Sequence, residues 1–447
     1  MSKIARFAAS GMQQQFVFAS LDGRSMNNLV IALRFEGPFA ERALERALRQ
    51  LVARHETLRT TLHPGDPPEQ RVAAEQPLEL ERIVLSDTGD ARAAALDLMA
   101  ERVAQRLPLR GPLVRMTLAR LGPRDHVVSL AIHHALVDGW SLRLLTRDLT
   151  ALYRAAVEGG DAALPPIELG VPDYATWEQE ARHEHADWWR RLLGDRDLHG
   201  SIGPPQPLAP IRPTEEVVRE RMLAAAATVE RLRAFVARAG LTMSSTLMAA
   251  LSTTMTTWDV HDVVMGVLSA NREHPGLRST AGCFADFVPV RVDASGDPTF
   301  AELAERVHAA AREAYAHRIP FAALHRALGN DGPWHAARVM DLSLNYLPMR
   351  ARRADGHEPG DSSPTAIHEL TLPLPRYRFK MDRDLAQPAR FGMMAVPDGE
   401  ALRGSLGAEP LWLPEARQVA LEETLIAVFE RAAARPGARI SELVAGT

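Results

Sequence analysis

Two adjacent imidazoles, a carboxylate and a glycine interrupt apolar sequence at His133-His134-Ala135-Leu136-Val137-Asp138-Gly139. Each residue type suits a site that moves protons during group transfer. An imidazole near its ordinary pKa accepts a proton from an attacking amine or hydroxyl at neutral pH, or holds that nucleophile by a hydrogen bond as charge develops. A glycine, with no Cβ, lets a thin substrate arm or a neighbouring backbone come close. Asp138 admits two roles: direct partner of a histidine, or structural anion paired with an arginine that fixes the loop. Its place four residues past His134, across a tight turn, favours the second, and a buried carboxylate needs a cationic partner. A lone histidine at a strand end is more often a hydrogen-bonded packing residue than a catalyst. The full seven-residue pattern reverses that weighting.

The apolar run Val127 to Ile132 that leads into the pair reads as a strand, and Trp140 to Val157 places Leu142, Leu145, Leu149 and Leu152 at helical spacing. The turn 133–139 is thereby pinned between a strand and a helix. Upstream, Leu29 to Phe35 reads as a strand, and Ala40 to His55 as a helix with Leu44, Ala47, Leu48 and Leu51 on one face. A helix near Arg92 to Arg106 and a strand near Val114 to Leu121 follow. A helix from Tyr174 to Leu193 precedes the proline-rich stretch Gly203 to Pro213, which can continue neither a helix nor a central strand and is read as the crossover between two lobes. Beyond it the pattern repeats in kind, with helices near Thr228 to Ala239, Ser244 to Trp258, Phe300 to His317 and Glu415 to Ala434. Strands are expected near Val263 to Leu268, Phe287 to Val292, Asp341 to Tyr346 and Ala389 to Val396. The fold class is α/β, with lobes at 1–172 and 173–447.

A chain of 447 residues with ordinary apolar and charged fractions is better explained by two lobes than one. Net charge is −4, and the basic residues are arginine apart from Lys3 and Lys380, with no dense basic tract, which argues against nucleic acid as a partner. The single cysteine, Cys283, excludes an internal disulfide and reads as a small core residue, and the opening Met-Ser-Lys-Ile-Ala-Arg lacks the apolar core of a signal peptide. With no apolar run long enough to cross a bilayer, a soluble, cytoplasmic chain is expected. His183-Glu184-His185 has the composition of a metal site, but histidines two apart fall on different helix faces. There is no glycine-rich phosphate loop, no Gly-x-Ser-x-Gly elbow and no zinc cluster, so neither a metal nor a bound cofactor is expected.

The seven-residue motif resembles the HHxxxDG signature of nonribosomal peptide synthetase condensation domains, within the chloramphenicol acetyltransferase-like superfamily. Ser10 to Phe18 resembles the first motif of that family, with Gln13 at its glutamine and Gln15 where an arginine is usual. Arg54-His55-Glu56-Thr57-Leu58-Arg59-Thr60 is close to the second, and Asp173-Tyr174-Ala175-Thr176-Trp177 to the fourth. Gly282 to Arg291 resembles the fifth, with Asp286 in place of the usual asparagine, Ile319-Pro320-Phe321 part of the sixth, and Asp341 to Leu347 the seventh. Heterocyclisation domains carry aspartates in place of both histidines, and the glutamate-bearing motif of epimerisation domains is not found here.

The resemblance implies two chloramphenicol acetyltransferase-like lobes in a V-shaped pseudo-dimer with a central tunnel, donor arm entering one mouth and acceptor the other. It makes His134 the residue of the chemistry and His133 a support of the fold, and pairs Asp138 with Arg272 of Ser269-Ala270-Asn271-Arg272, brought from the second lobe. Trp140, Ser141, Asp286, Ser343 and Asn345 become candidates for the channel lining, Asn345 being equally readable as a structural strand residue. No Leu-Gly-Gly-x-Ser attachment site, adenylation segment or thioesterase is present. The expectation is a free-standing, monomeric acyltransferase of natural-product biosynthesis. It takes an acyl group from the 4'-phosphopantetheine thioester of an acyl or peptidyl carrier protein in trans and forms an amide or ester. The rivals are an enzyme drawing on acyl-coenzyme A and a non-catalytic carrier-docking module.

Overall fold

The computed structural model describes residues 4–21, 28–86, 89–180, 185–194, 219–329, 340–347, 365–370, 391–408 and 415–446. The chain falls into two units, each discontinuous in sequence: unit 1 is Met1–Ala181, Ala270–Ala285 and Arg352–Asp382, and unit 2 is Arg182–Ser269, Asp286–Ala351 and Arg383–Thr447. This differs from the contiguous division at 172/173. Two later segments return to unit 1: the strand Ala366–Glu369 adds to its main sheet, and Ala270–Ala285 is tied to the motif carboxylate described below. The proline-rich stretch 203–213 lies outside the described residues.

Unit 1 begins with β1 (Ile4–Ala8), α1 (Gly11–Leu21), β2 (Asn28–Glu36), α2 (Glu41–Arg54), β3 (Thr60–His63) and β4 (Glu69–Ala73). It continues through β5 (Leu80–Val84), α3 (Ala91–Ala104), β6 (Val114–Gly122), β7 (Asp125–His133), α4 (Gly139–Glu158) and α5 (Val171–Glu180). Its main sheet runs Ala366–Glu369, β2, β7, β6, β5, and a small sheet runs β1, β4, β3. Alternation along the strands sorts side chains to two faces. On β2, Ile31, Leu33 and Phe35 pack with Leu44, Leu48 and Leu51 of α2 and Leu145 and Leu149 of α4, whereas Ala32 packs with Ala95, Met99 and Val103 of α3. The same split on β7, with Val128, Leu130 and Ile132 on one side and Val127 on the other, explains its unbroken apolar run: the strand is covered on both faces. Helix α4 stops at Gly159, whose φ of 77° is the left-handed cap that a glycine adopts at no steric cost.

The expected helix Tyr174 to Leu193 is two helices, α5 and Ala186–Leu193. Unit 2 carries a six-stranded sheet in the order Asp286–Asp293, Asp262–Ser269, Leu342–Tyr346, Phe391–Asp398, Ala401–Ala408, Arg219–Ala224. The strand Leu342–Tyr346 is parallel to both its neighbours. The helix Met243–Met255 is buried nearly all round, which is why it reads as apolar without a clear stripe. Among the described residues no single helix is long and apolar enough to cross a membrane.

Candidate active site

The motif is a strand end, one turn and a helix cap. Strand β7 ends at His133, whose backbone N–H donates to the Leu113 carbonyl at 2.9 Å. His134–Leu136 form a 3-10 turn, and Asp138 is the N-cap of α4. His133 is 4% exposed and its Nδ1 accepts the Ala135 N–H at 3.1 Å, which leaves the ring proton on Nε2 in the neutral form. Burial, reinforced by the neighbouring His134, pushes its pKa down to about 4. His134 is half-buried. Its ring stacks on Phe16, centroids 5.1 Å apart and planes at 25°, and no protein group among the described residues reaches its Nδ1 in hydrogen-bonding geometry. Burial holds its pKa below the ordinary value, opposed by weak hydrogen bonding of the ring to the backbone at His134 and Val137 and by the charge of Asp138. The imidazole is therefore unprotonated at neutral pH and able to accept a proton.

Asp138 is not available for that chemistry. Its Oδ1 accepts the Ser141 N–H at 2.8 Å and the Ser141 hydroxyl at 2.7 Å, and its Oδ2 accepts the Phe284 and Ala285 N–H groups at 3.1 and 3.2 Å. The Arg272 Nη2 donates to both oxygens at 3.1 Å, and the guanidinium lies over the Phe284 ring at 4.1 Å. Arg272 belongs to Ala270–Ala285, so the ion pair is internal to unit 1; the expectation that Arg272 comes from the second lobe is corrected. Ser141 is fully buried, and its Oγ, besides donating to Asp138, meets the N–H and carbonyl of Gly282 at 2.9 and 2.7 Å, so it is a node of this clamp.

The second motif brackets the first. The Thr57 hydroxyl donates to the Leu136 carbonyl at 2.7 Å, fixing the turn that carries His134. His55 Nε2 lies 3.0 Å from Asp148 Oδ2 on α4, and Arg54 Nε donates to the same oxygen at 2.9 Å. Burial alone would raise the Asp148 pKa, but hydrogen bonds from His55, Arg147 and Arg54 bring it down to about 2. Thr57, Asp148 and Phe16 are site-building residues that sequence reasoning missed. Thr57 and Phe16 lay within stretches that resemble family motifs without being singled out, whereas Asp148 carried a physical signal, being a carboxylate set among the apolar residues Leu145, Leu149 and Leu152 of a buried helix face.

Gly139 opens α4 with open space around it: among the described residues, a Cβ built there meets nothing within 4 Å. Trp140 is 36% exposed, its indole fixed by a 3.1 Å bond from Nε1 to the Arg278 carbonyl and overlain by the Arg143 guanidinium at 5.6 Å. Asp286, Ser343 and Asn345 belong to unit 2. Ser343 is buried and Asn345 half-buried on the strand Leu342–Tyr346. Cys283 is a buried member of the unit 1 core. His183 and Glu184 lie outside the described residues.

Asp286 is buried, its carboxylate accepting the Phe287 and Phe321 N–H groups at 2.9 and 3.0 Å. Burial pushes its pKa up to about 6 against the pull of Arg318 and those two N–H groups. A carboxyl whose folded pKa exceeds its unfolded value penalises the folded state above the folded pKa, here by about 3 kcal/mol, and the penalty fades as pH falls towards 4. The histidines with lowered pKa slope the other way in any variant that keeps them. Asp286→Asn therefore isolates the carboxyl: between pH 7 and 4.5 the wild type is expected to gain urea-unfolding stability relative to the variant, and a pH-independent difference would contradict this assignment.

The family model Condensation domain matches residues 5–369. The chain belongs to the condensation-domain family. Among relatives, this condensation domain is 34% identical over 386 residues to phosphinothricin tripeptide synthetase PhsC of Streptomyces viridochromogenes, covering 79% of this chain and 34% of that protein. It is 31% identical over 335 residues to chondramide synthase cmdD of Chondromyces crocatus, covering 70% of this chain and 8% of that protein. The chain thus spans about a third or less of the length of these relatives. Similar solved structures include the X-domain from teicoplanin biosynthesis, with a TM-score of 0.79 at 27% identity, covering 99% of this chain and 98% of that one. The first condensation domain of the calcium-dependent antibiotic synthetase has a TM-score of 0.74 at 22% identity, covering 99% of both chains. The fold is the chloramphenicol acetyltransferase-like fold of these domains.

Proposed function

We propose that this condensation domain transfers an acyl group from a 4'-phosphopantetheine thioester on an acyl or peptidyl carrier protein to an amine or hydroxyl, with His134 at the reacting centre. The observation that carries the reading is the division of labour within the motif. His133 is buried and bonded and Asp138 is saturated by its clamp, while His134 alone presents a half-buried, unprotonated imidazole without a side-chain partner. The acceptor's nucleophilic atom attacks the thioester carbonyl, the new C–N or C–O bond replaces the C–S bond, and the nucleophile's proton passes through His134 to the departing thiolate. Positioning contributes alongside proton transfer, because a neutral amine attacks a thioester without a strong base. The enzyme works as a monomer in the cytoplasm, and its carrier is supplied from outside residues 1–447.

The thioester passes Gly139 on this reading, which gives its empty surroundings a purpose. Gly139→Ala is expected to fold as well as the wild type, since the added methyl meets no protein atom, and to lower kcat/KM for a carrier-bound donor by about tenfold. An unchanged kcat/KM would remove Gly139 from the donor path.

A second reading, a non-catalytic docking module, is favoured by the likeness to the teicoplanin X-domain, a domain also solved in a complex with OxyB. Mass spectrometry separates the readings. The domain is incubated with an acylated carrier or with the matching acyl-coenzyme A, each against a panel of amines and alcohols. Product that requires the carrier supports the proposal, equal product from both donors replaces it with a coenzyme A enzyme, and no product above the buffer control from either leaves the docking module.

A further inference from the structure

The stretch Ser10 to Phe18 has no part in the chemistry above, yet its helix is anchored with unusual care. Ser10 Oγ accepts the Gln13 N–H at 3.3 Å and Gln13 Oε1 accepts the Ser10 N–H at 2.9 Å, a reciprocal cap of the first turn. Glu178 of α5 accepts the Gly11 N–H at 2.6 Å. Gln13 Nε2 reaches Gln70 of β4 at 3.5 Å, and Gln70 in turn donates to the Ala8 carbonyl at 2.9 Å. One turn further along, the helix delivers Phe16, 6% exposed, flat against the His134 ring and edge-on to His133 at 6.2 Å.

We infer that Phe16 is a positioning residue for His134: held by the capped first turn of α1, its ring sets the plane of the imidazole and shuts water from one face of it. The inference rests on the role proposed for His134. An imidazole following a strand end has two free side-chain torsions, and a flat neighbour removes most of that freedom before substrate arrives, so the reaction no longer bears that entropy. Shutting out water on one face also disfavours the charged form. Among the described residues the ionisable group that acts on His134 is Asp138, and His134 in turn acts on its neighbour His133. Helix α1 carries no ionisable side chain, so Phe16 acts through stacking and exclusion of water and not through charge.

The test replaces Phe16 by leucine, alanine or tyrosine and follows the histidine Cε1–H signals by NMR titration, His134 being assigned by its loss in His134→Asn. In Phe16→Leu and Phe16→Ala the ring-current displacement of the His134 signal is expected to vanish and its midpoint to rise by about half a pH unit or more towards that of an exposed histidine. Phe16→Tyr keeps both. In turnover, kcat falls about tenfold in Phe16→Leu at unchanged KM, and Phe16→Tyr restores it. A folded Phe16→Leu chain whose His134 shift and midpoint match wild type overturns the inference. So does failure of this near volume-conserving variant to fold, which would assign Phe16 to packing. The NMR result stands apart from turnover: were His134 itself dispensable, the proposed function would fail while the titration still decided the role of Phe16.

Discussion

His134→Ala is expected to lower kcat for transfer from a carrier-bound donor by about 10²–10⁴-fold, the range that a positioned proton-transfer group contributes. The loss should be graded by acceptor. A hydroxyl must lose its proton as it attacks and falls towards the upper end, whereas a neutral amine is already nucleophilic and stays near the lower. The fold should survive, because the ring makes no hydrogen bond to another described side chain and its removal forfeits chiefly the stack on Phe16, about 1 kcal/mol. The pH profile supplies an independent signature. Burial lowers the His134 pKa, so with a hydroxyl acceptor the wild-type kcat/KM should be flat from pH 7 upward and decline only below the ordinary histidine range. The alanine variant should lack that acid limb. Rapid-quench single-turnover measurements with amine and hydroxyl acceptors check both statements, and wild-type rates for both acceptors would end the catalytic role of His134.

What the sequence made legible follows physical lines. The apolar run Val127 to Ile132 could be read as a strand because β7 is buried on both faces, and the α4 stripe because Leu145, Leu149 and Leu152 all turn to one core. Strands β1, β3 and β4 escaped notice. Glu69–Ala73 reads Glu-Gln-Arg-Val-Ala and owes its extended form to pairing with β1 and β3, not to apolar alternation. Tyr174 to Leu193 reads as one helix because aromatic and apolar residues keep helical spacing through Trp188 and Trp189, yet His185 is a turn residue and a new helix starts at Ala186. At the site, residue types and order expose His134 and Asp138, but nothing local shows that Ala270–Ala285 returns to unit 1, because that follows from the four hydrogen bonds its N–H groups and Arg272 direct at Asp138. Ser141 illustrates the same limit. Adjacency to the motif suggested a lining residue, whereas the third position of a helix capped by Asp138 turns its hydroxyl back into the cap. The stretch holding Phe16 stood out by resemblance, but its role did not, being a contact between an early helix and a distant turn that no spacing rule connects.

Arg272→Ala should destabilise unit 1 strongly. It leaves the Asp138 carboxylate, 3% exposed, without its cation, a defect worth about 3–5 kcal/mol in a buried pair and a large share of the stability of an ordinary domain. The remaining donors to Asp138, two from Ser141 and the Phe284 and Ala285 N–H groups, place the expected loss near the lower end of that range. Every contact of the guanidinium with this cluster runs through Nη2, to Asp138, Ser141 and the Gly282 carbonyl. A shorter ammonium can imitate one nitrogen in part, so Arg272→Lys should fall between wild type and alanine. The decisive comparison is the double variant. If the harm in Arg272→Ala is an unpaired buried charge, adding Asp138→Asn should restore about 1–2 kcal/mol of it, because a neutral amide costs less to bury than a lone carboxylate. Hydrogen exchange of the α4 amides, read by mass spectrometry, localises the effect to the helix that Asp138 caps. Protection there should drop in Arg272→Ala and recover in part in the double variant, whereas strictly additive losses would show that the two side chains are neighbours without being coupled.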